Sequence, residues 1–260
     1  MGTIDLKRKI ALVTGGATGL GKGIAIALAN SNAKVVVTSR NKKDIEKISK
    51  HPSGNIFGYN LDITNSSELE TLYKNIKKKY KKIDILINNV GHTLDIKDPF
   101  TNINNWKKVM DLNFFTAVNL NNMFINDMKK QKWGRIINIT SIAGTEISGP
   151  STFNASKAAL TAYTRSVGRQ LAIEKRNIVM TAVAPGIIAT ERGHWNKKTV
   201  KSLHAKKYLK NRTAIGRFGT VDELTGIIVF LCSEKASFFH GSILQPDGGQ
   251  SRQYMSFNYL

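Results

Sequence analysis

A glycine-rich turn, TGGATGLGKGIA from Thr14 to Ala25, is the feature that most constrains the fold of this chain. It follows a short β-branched run and opens a segment of helical period, with glycines at 15, 19 and 21. Glycine permits the tight turn and the close approach of a pyrophosphate, while the helix N-terminus offers free N–H groups and a positive dipole. Because the turn lies between a strand and a helix, it predicts a dinucleotide-binding βαβ unit.

The same alternation of short apolar runs and longer helical segments continues along the chain. Seven strands are predicted, at residues 9–14, 34–39, 56–61, 83–88, 135–140, 178–183 and 242–247. The runs are apolar on both faces, which suits a parallel sheet covered on each side. We therefore expect a single α/β domain over residues 1–260, of the Rossmann type, doubly wound around a mostly parallel seven-stranded sheet. Residues 187–220 form a predicted substrate lid, and 250–260 a C-terminal tail.

Composition narrows the class of protein. No apolar run approaches the roughly 20 residues that a membrane span needs, so no membrane partner is expected. The N-terminus does not read as a signal peptide, and the single cysteine, Cys232, cannot form an internal disulfide, which together predict a cytoplasmic protein. The net charge of +21 has three interpretations: nucleic-acid binding, an anionic substrate, or a lysine-rich composition without specific meaning. No nucleic-acid-binding or metal-binding signature accompanies it, so we expect neither a specific nucleic-acid partner nor a metal site.

Further motifs follow the glycine turn in order: LDIT containing Asp62, NNVG at 88–91, MDLNFF containing Asn113, INITS ending at Ser141, Lys157, and PGIIAT at 185–190. Over about residues 7 to 250 this series resembles the short-chain dehydrogenase/reductase family. A fainter likeness, carried by GPSTFNASKAALTAYTRS and ERGHW, is to members found among bacterial surface-sugar and flagellin-modification genes.

The resemblance implies an enzyme that interconverts a carbonyl and a secondary alcohol with a nicotinamide cofactor, acting as a homodimer or homotetramer on a small-molecule substrate. Its implied catalytic positions are Asn113 for a relay water, Ser141 for the substrate oxygen, Phe153 in the position of the proton-exchanging tyrosine, and Lys157. The implied cofactor-binding residues are Gly15, Thr18, Gly19, Leu20, Gly21, Ser39, Arg40, Asp62, Ile63, Asn89, Gly91, Lys157, Pro185, Gly186, Ile188 and Thr190.

The end of the second strand indicates which cofactor is preferred. NAD-preferring members of the family carry an acidic residue there, whereas this chain has Ser39 followed by Arg40. A carboxylate would repel a 2′-phosphate and an arginine can pair with it, so NADP(H) is favoured over NAD(H).

Phe153 is the departure from the family pattern, because phenylalanine has no proton to exchange. Tyr163 cannot replace the missing hydroxyl, since its offset from Lys157 puts it on another helix face. Three explanations stay open: a substitution made to trap a complex, a natural enzyme with another proton donor, or a cofactor-binding protein that has lost catalysis. His92 and His194 are the candidate donors, because histidine titrates near neutral pH.

The functional prediction is therefore an NADP(H)-dependent oxidoreductase for a polar substrate, sugar-derived or anionic, with a role in carbohydrate biosynthesis. The prediction includes that this form is impaired by Phe153, whether the phenylalanine is engineered or natural. The basic residues between Lys197 and Arg212 have two interpretations, of which the first is favoured: the solvated face of a lid helix, or a site that pairs with an anionic group on such a substrate. The alternative is a catalytically silent NADP(H) sensor or scaffold, and nucleic-acid binding based on charge alone comes third.

Overall fold

The computed structural model describes residues 4–251, and the fold is built on one sheet. Its strands are β1 Ile10–Val13, β2 Lys34–Ser39, β3 Ile56–Asn60, β4 Ile85–Asn88, β5 Gly134–Ile139, β6 Ile178–Val183 and β7 Ile243–Leu244. They lie in the order β3-β2-β1-β4-β5-β6-β7 and every neighbouring pair is parallel. The predicted fold class is confirmed.

The last strand is shorter than predicted. It pairs with β6 through two residue pairs only, Ala182 with Ile243 and Val183 with Leu244. Two residues further on stands Pro246, whose ring nitrogen has no proton to donate to a ladder. An edge strand with one partner therefore ends before it.

Helices cover both faces of the sheet. They are α1 Gly19–Asn30, α2 Lys42–Ser49, α3 Ser66–Tyr80, α4 Ile103–Met110, α5 Thr116–Gln131, α6 Ser151–Ile173, α7 Leu203–Arg212 and α8 Val221–Leu231. A π-helical turn, Asp111–Phe115, joins α4 to α5, and short 3₁₀ turns occur at Ile142–Gly144, Thr199–Lys201 and Glu234–Ala236. A reciprocal capping box between Thr220 and Glu223 starts α8.

The central strands β1, β4, β5 and β6 are buried on both faces because each face packs against its own set of helices. On β1, Ala11 and Val13 join the cluster that contains α1 and α8, whereas Ile10 and Leu12 join the cluster that contains α3 and α5. This is the reason that the strand segments read as continuous apolar runs in the sequence.

The predicted lid is the least regular part of the chain, with two isolated bridges, a 3₁₀ turn and α7. Of the predicted tail, residues 252–260 lie outside the described residues. Between residues 4 and 251 no helix is long and apolar enough to cross a membrane, and the same part of the chain contains no cluster of three metal-ligating side chains.

Candidate active site

A cleft of about 520 Å³ opens at the carboxyl ends of the strands, where the strand order reverses between β1 and β4. Open parallel sheets bind ligands at such a switch point. Of the predicted site residues, the following line it: Gly15, Thr18, Leu20, Gly21, Ser39, Arg40, Asp62, Ile63, Asn89, Gly91, Ser141, Phe153, Lys157, Pro185, Gly186, Ile188 and Thr190. Residues spread over most of the chain therefore meet on one surface.

The glycine turn has the geometry that a phosphate requires. Gly15 and Gly19 have φ angles of 61° and 55°, in the left-handed region that favours glycine. A Cβ added to Gly21 would lie 2.4 Å from the Gly15 carbonyl oxygen, so no other residue fits there. No side chain caps the N-terminus of α1, which leaves its first N–H groups open to an anion. The turn fits a pyrophosphate group.

Thr14 joins this turn to the NNVG segment. Its hydroxyl oxygen accepts hydrogen bonds from the backbone N–H groups of Asn89 and Val90, at 2.9 and 3.1 Å. The Asn89 side chain in turn donates to the Thr14 carbonyl oxygen over 2.9 Å. The floor of the cleft between β1 and β4 is thereby held by three hydrogen bonds.

The part of the cleft where we predict the adenosine is lined by a cation and a carboxylate, Arg40 and Asp62. The Asp62 carboxylate accepts from the backbone N–H and the hydroxyl of Thr64, which lower its pKa, and the Arg40 charge acts in the same direction. At residue 39 the strand ends in a serine, whose hydroxyl accepts from the Asn41 N–H over 3.1 Å. No carboxylate stands at that strand end to repel a 2′-phosphate.

Lys157 lies at the centre of the cleft and is 3% exposed. Its ammonium group donates to the Ile139 carbonyl oxygen over 2.8 Å, which ties α6 to the end of β5. Burial lowers the pKa of the Lys157 amine to about 8, because the charged form loses its hydration. A Cβ at Gly91 would lie 2.8 Å from Nζ, so glycine there gives the ammonium its space.

Asn113 lies behind the cleft surface, on the π-helical turn, and is 1% exposed. Its side-chain oxygen accepts from the His92 N–H over 2.7 Å, and its amide nitrogen donates to the His92 carbonyl over 3.0 Å. Both ends of the amide are therefore engaged with the backbone. In this arrangement Asn113 holds the segment that follows NNVG in position.

Ser141 and Phe153 stand where the cleft meets a second cavity of about 250 Å³, and both line it. The Ser141 hydroxyl oxygen accepts from the Ala143 N–H over 3.1 Å. The Phe153 ring is half-buried, with its centroid 5.7 Å from the Lys157 ammonium. The residue in the family's tyrosine position thus faces the lysine with an apolar ring.

The two candidate histidine donors lie in different places. His92 lines the cleft, and its Nδ1 accepts the Leu94 N–H over 2.8 Å, so that nitrogen carries no proton. His194 lines the second cavity beside Ser141 and Phe153. The Tyr163 hydroxyl is engaged by the Asn121 amide over 3.2 Å and lines neither cavity.

Two ion pairs link the first part of the predicted lid to helices α1 and α2. Glu191 pairs with Lys22 of α1 at 2.9 Å, and Arg192 pairs with Asp44 of α2 at 2.6 Å. Glu191 and Arg192 directly follow Thr190 in the chain, and Thr190 lines the cleft. The lid is thus tied to the two helices that flank the predicted nucleotide site.

Several residues that line the second cavity were not predicted from the sequence. Trp195, His204, Tyr208 and Gln250 line it together with His194. The Trp195 and His204 rings are nearly parallel, 7° apart, with centroids 5.8 Å from each other. The aromatic and histidine content of residues 194–208 was the available signal, whereas nothing local in the sequence marked Gln250.

The fold and the cleft define a dinucleotide-binding α/β protein, and comparison with known proteins makes this more specific. The family model described as short chain dehydrogenase matches residues 9–201. The chain therefore belongs to the short-chain dehydrogenase/reductase family, as the ordered motifs predicted.

Curated relatives match along nearly the whole chain. A 3-oxoacyl-[acyl-carrier-protein] reductase FabG from Aquifex aeolicus is 32% identical over 251 residues, covering 95% of this chain and 98% of that protein. The protein of the same name from Buchnera aphidicola subsp. Schizaphis graminum is 33% identical over 249 residues, with the same coverage. These names do not support the predicted role in carbohydrate biosynthesis.

A solved structure is similar as well. A 7α-hydroxysteroid dehydrogenase complexed with NADH and 7-oxo glycochenodeoxycholic acid is 30% identical, with a TM-score of 0.87 and coverage of 97% of this chain and 99% of that one. The prediction of a nicotinamide-dependent dehydrogenase/reductase is confirmed at the level of the family.

Proposed function

We propose that this chain is an NADP(H)-dependent oxidoreductase that interconverts a carbonyl and a secondary alcohol on a small polar substrate. The observation that carries the proposal is the meeting of Lys157, Ser141 and the glycine turn on one cleft at the switch point of the sheet. A nucleotide along this cleft would have its pyrophosphate at the turn and its nicotinamide beside Lys157.

We assign separate cofactor-binding and substrate-binding roles to these residues. The open N-terminus of α1 would hold the pyrophosphate, and Asp62 and Ile63 would lie beside the adenine. Lys157 would bind the nicotinamide ribose, and Ser141 would donate a hydrogen bond to the substrate oxygen. The bound cofactor would supply or accept the hydride. Support for these roles comes from the family resemblance and from the positions of Lys157 and Ser141 in one cleft.

The preference for NADP(H) is supported by the charges at the adenosine end. Arg40 lines the cleft there, and Ser39 leaves the strand end without a carboxylate. A 2′-phosphate can form a charge-assisted contact with the arginine and meets no repulsion.

The substrate class is the finer part of the proposal. The lining of the second cavity contains no acidic side chain and includes His194 and His204, which suits a polar or anionic carbonyl compound. The names of the curated relatives make a 3-oxoacyl thioester the first probe, and a keto sugar or keto acid the second. We infer further that the chain forms a homodimer or homotetramer, supported by exposed apolar side chains such as Phe238, and that it is cytoplasmic, supported by its single buried thiol.

One observation favours a second function. Position 153 has no hydroxyl, so the chain could bind NADP(H) as a sensor or scaffold without reducing anything. Both functions predict NADP(H) binding, but only the oxidoreductase predicts turnover.

The test measures NADPH binding by fluorescence and NADPH consumption against 3-oxobutanoyl thioester, keto sugars and keto acids. We expect binding together with consumption of at least one panel member by the chain or by its Phe153→Tyr variant. Binding without consumption by either form would favour the silent sensor. Absence of NADPH binding would contradict both.

A further inference from the structure

A tyrosine of the lid faces the same cavity as Ser141 and Phe153. Tyr208 belongs to α7, and its side chain lines the 250 Å³ cavity opposite the end of β5. The Trp195 ring packs against the Tyr208 ring with centroids 5.0 Å apart, which holds the phenol in place. Tyr208 is therefore a tyrosine with a packed ring on the lining of the cavity that Ser141 and Phe153 share.

The neighbouring amide fixes the direction of the hydrogen bond to this hydroxyl. The Gln250 side-chain oxygen accepts from the Ile187 N–H over 3.0 Å, which identifies the other amide atom as nitrogen. That nitrogen lies 2.7 Å from the Tyr208 oxygen and donates to it. Since nitrogen of an amide has no acceptor role, the Tyr208 oxygen must be the acceptor.

The phenolic proton of Tyr208 therefore has no hydrogen-bond acceptor among residues 4–251. Tyr208 lines the second cavity, so a ligand in that cavity is the available acceptor. The Ser141 hydroxyl proton also has no protein acceptor in the described part of the chain, because the Ser141 oxygen only accepts, from the Ala143 N–H. Two unused O–H donors thus border one cavity, beside the ring of Phe153.

We propose that the Tyr208 hydroxyl donates to the substrate carbonyl oxygen the proton that Phe153 cannot supply, with Ser141 hydrogen-bonded to the same oxygen. This assignment rests on the proposed function, carbonyl reduction in the adjoining cleft. It makes Tyr208 a catalytic residue of the lid.

The proton and electron balance is complete. When the carbonyl carbon accepts a hydride from NADPH, which would leave as NADP⁺, the electron pair of the carbonyl π bond moves to oxygen. That oxygen forms a bond to the Tyr208 proton as the phenolic O–H bond breaks. The phenolate is stabilised by the Gln250 N–H and by the charge of Arg212. Tyr208 is half-buried, so solvent water can return the proton to it.

The surroundings of Tyr208 set its protonation state before the reaction. Burial raises the pKa of the Tyr208 phenol, while the Arg212 charge and the Gln250 hydrogen bond act in the opposite direction. The group is therefore protonated at neutral pH before the reaction. Of the alternative donors, His92 keeps its ring proton on Nε2, since Nδ1 accepts the Leu94 N–H, but among residues 4–251 it lines the first cleft and not the second cavity. The exposed His194 ring lines the second cavity and has no hydrogen bond to orient it in the described structure.

The test is a double-mutant cycle with Tyr208→Phe and Phe153→Tyr, measured as kcat with NADPH and 3-oxobutanoyl thioester, with the keto-sugar and keto-acid panel alongside. A positioned general acid contributes about 10²- to 10⁴-fold. We expect Tyr208→Phe to lower kcat by about 100-fold or more when residue 153 is phenylalanine, and by about twofold or less when it is tyrosine. Tyr163→Phe, which removes a hydroxyl that lines neither cavity, is the matched control.

A second variant and a binding measurement separate the chemistry from folding. Gln250→Glu keeps the acceptor for the Ile187 N–H but turns the neighbouring atom into an acceptor, which captures the Tyr208 proton, so it should act like Tyr208→Phe. The 3-hydroxybutanoyl thioester cannot be reduced, and its affinity for the NADPH-loaded chain should fall by roughly tenfold in Tyr208→Phe.

Equal losses from Tyr208→Phe in both backgrounds, or no loss in either, would overturn the assignment. A background-dependent loss in His194→Gln instead would identify His194 as the donor and would exclude Tyr208. Turnover by the double variant, which combines Phe153→Tyr with Tyr208→Phe, preserves the proposed function even if Tyr208 is not the donor. Absence of turnover from both forms that carry Phe153→Tyr overturns the proposed function, and the Tyr208 assignment with it.

Discussion

The Lys157 ammonium lies 5.7 Å from the centroid of the Phe153 ring, one helical turn away on the same face of α6. A cation within about 6 Å of an aromatic ring is attracted to it, so the pair is weakly favourable without a hydroxyl. The ammonium donates instead to the Ile139 carbonyl oxygen over 2.8 Å. The Lys157 ammonium is therefore held by a backbone carbonyl and faces an aromatic ring that has no hydroxyl.

Phe153→Tyr should raise turnover by about tenfold or more over the unmodified chain, because the new phenol stands beside a cation that favours its ionised form. Affinity for NADPH should stay the same, since the turn and Lys157 are untouched. Stopped-flow NADPH oxidation and fluorescence titration measure the two quantities.

Phe153→Leu is the control, because it removes the ring and adds no hydroxyl. If it raises turnover as much as tyrosine does, the gain comes from space and not from a proton.

Arg40→Ala should weaken NADPH binding by about ten- to a hundredfold and leave NADH binding unchanged, because a hydrogen bond to a charged group contributes about 1.5–3 kcal/mol. Lys42→Ala, which removes a cation two residues further on that does not line the cleft, is the matched control. Equal losses of both cofactors, or none, would contradict a 2′-phosphate contact.

Lys157→Met should change the pH dependence of stability. The pKa of the buried amine is about 8, against 10.5 for an ordinary lysine, so between these values the folded chain binds fewer protons than the unfolded chain. The free energy of unfolding of the unmodified protein should therefore rise relative to Lys157→Met from pH 8 to pH 10.5, by about 3 kcal/mol, and stay level below pH 8. Urea unfolding at a series of pH values measures it. A constant difference would mean that the amine is not desolvated.

Glu191→Gln should loosen the lid and raise the Kd for NADPH by about two- to fivefold, with a smaller effect at high salt, because exposed ion pairs contribute at most about 1 kcal/mol. Glu70→Gln, which breaks the exposed pair with Lys74 on α3, is the control. An identical effect from both substitutions would assign the change to net charge and not to the lid.

The local pattern of the sequence determined the seven strands, the glycine turn and the helix that carries Lys157. Each depends on short-range properties: the alternation of apolar runs, the conformational freedom of glycine, and the one-turn spacing from residue 153 to residue 157. Two of the predicted strands, β2 and β6, have the bounds that the structure gives them. The family motifs are also local in the sequence, and most of the residues that they predicted for the site line the cleft.

Tertiary structure decided what those residues touch. Gln250 reaches Tyr208 from 42 residues away and Glu191 reaches Lys22 from 169, distances over which no local pattern in a single sequence links two side chains. The amide of Asn113 is engaged with His92 only because the π-helical turn packs behind Gly91. The missing hydroxyl of Phe153 could be read from the sequence, but the unused hydroxyl of Tyr208 could not, because a donor is free or engaged only through its neighbours in space.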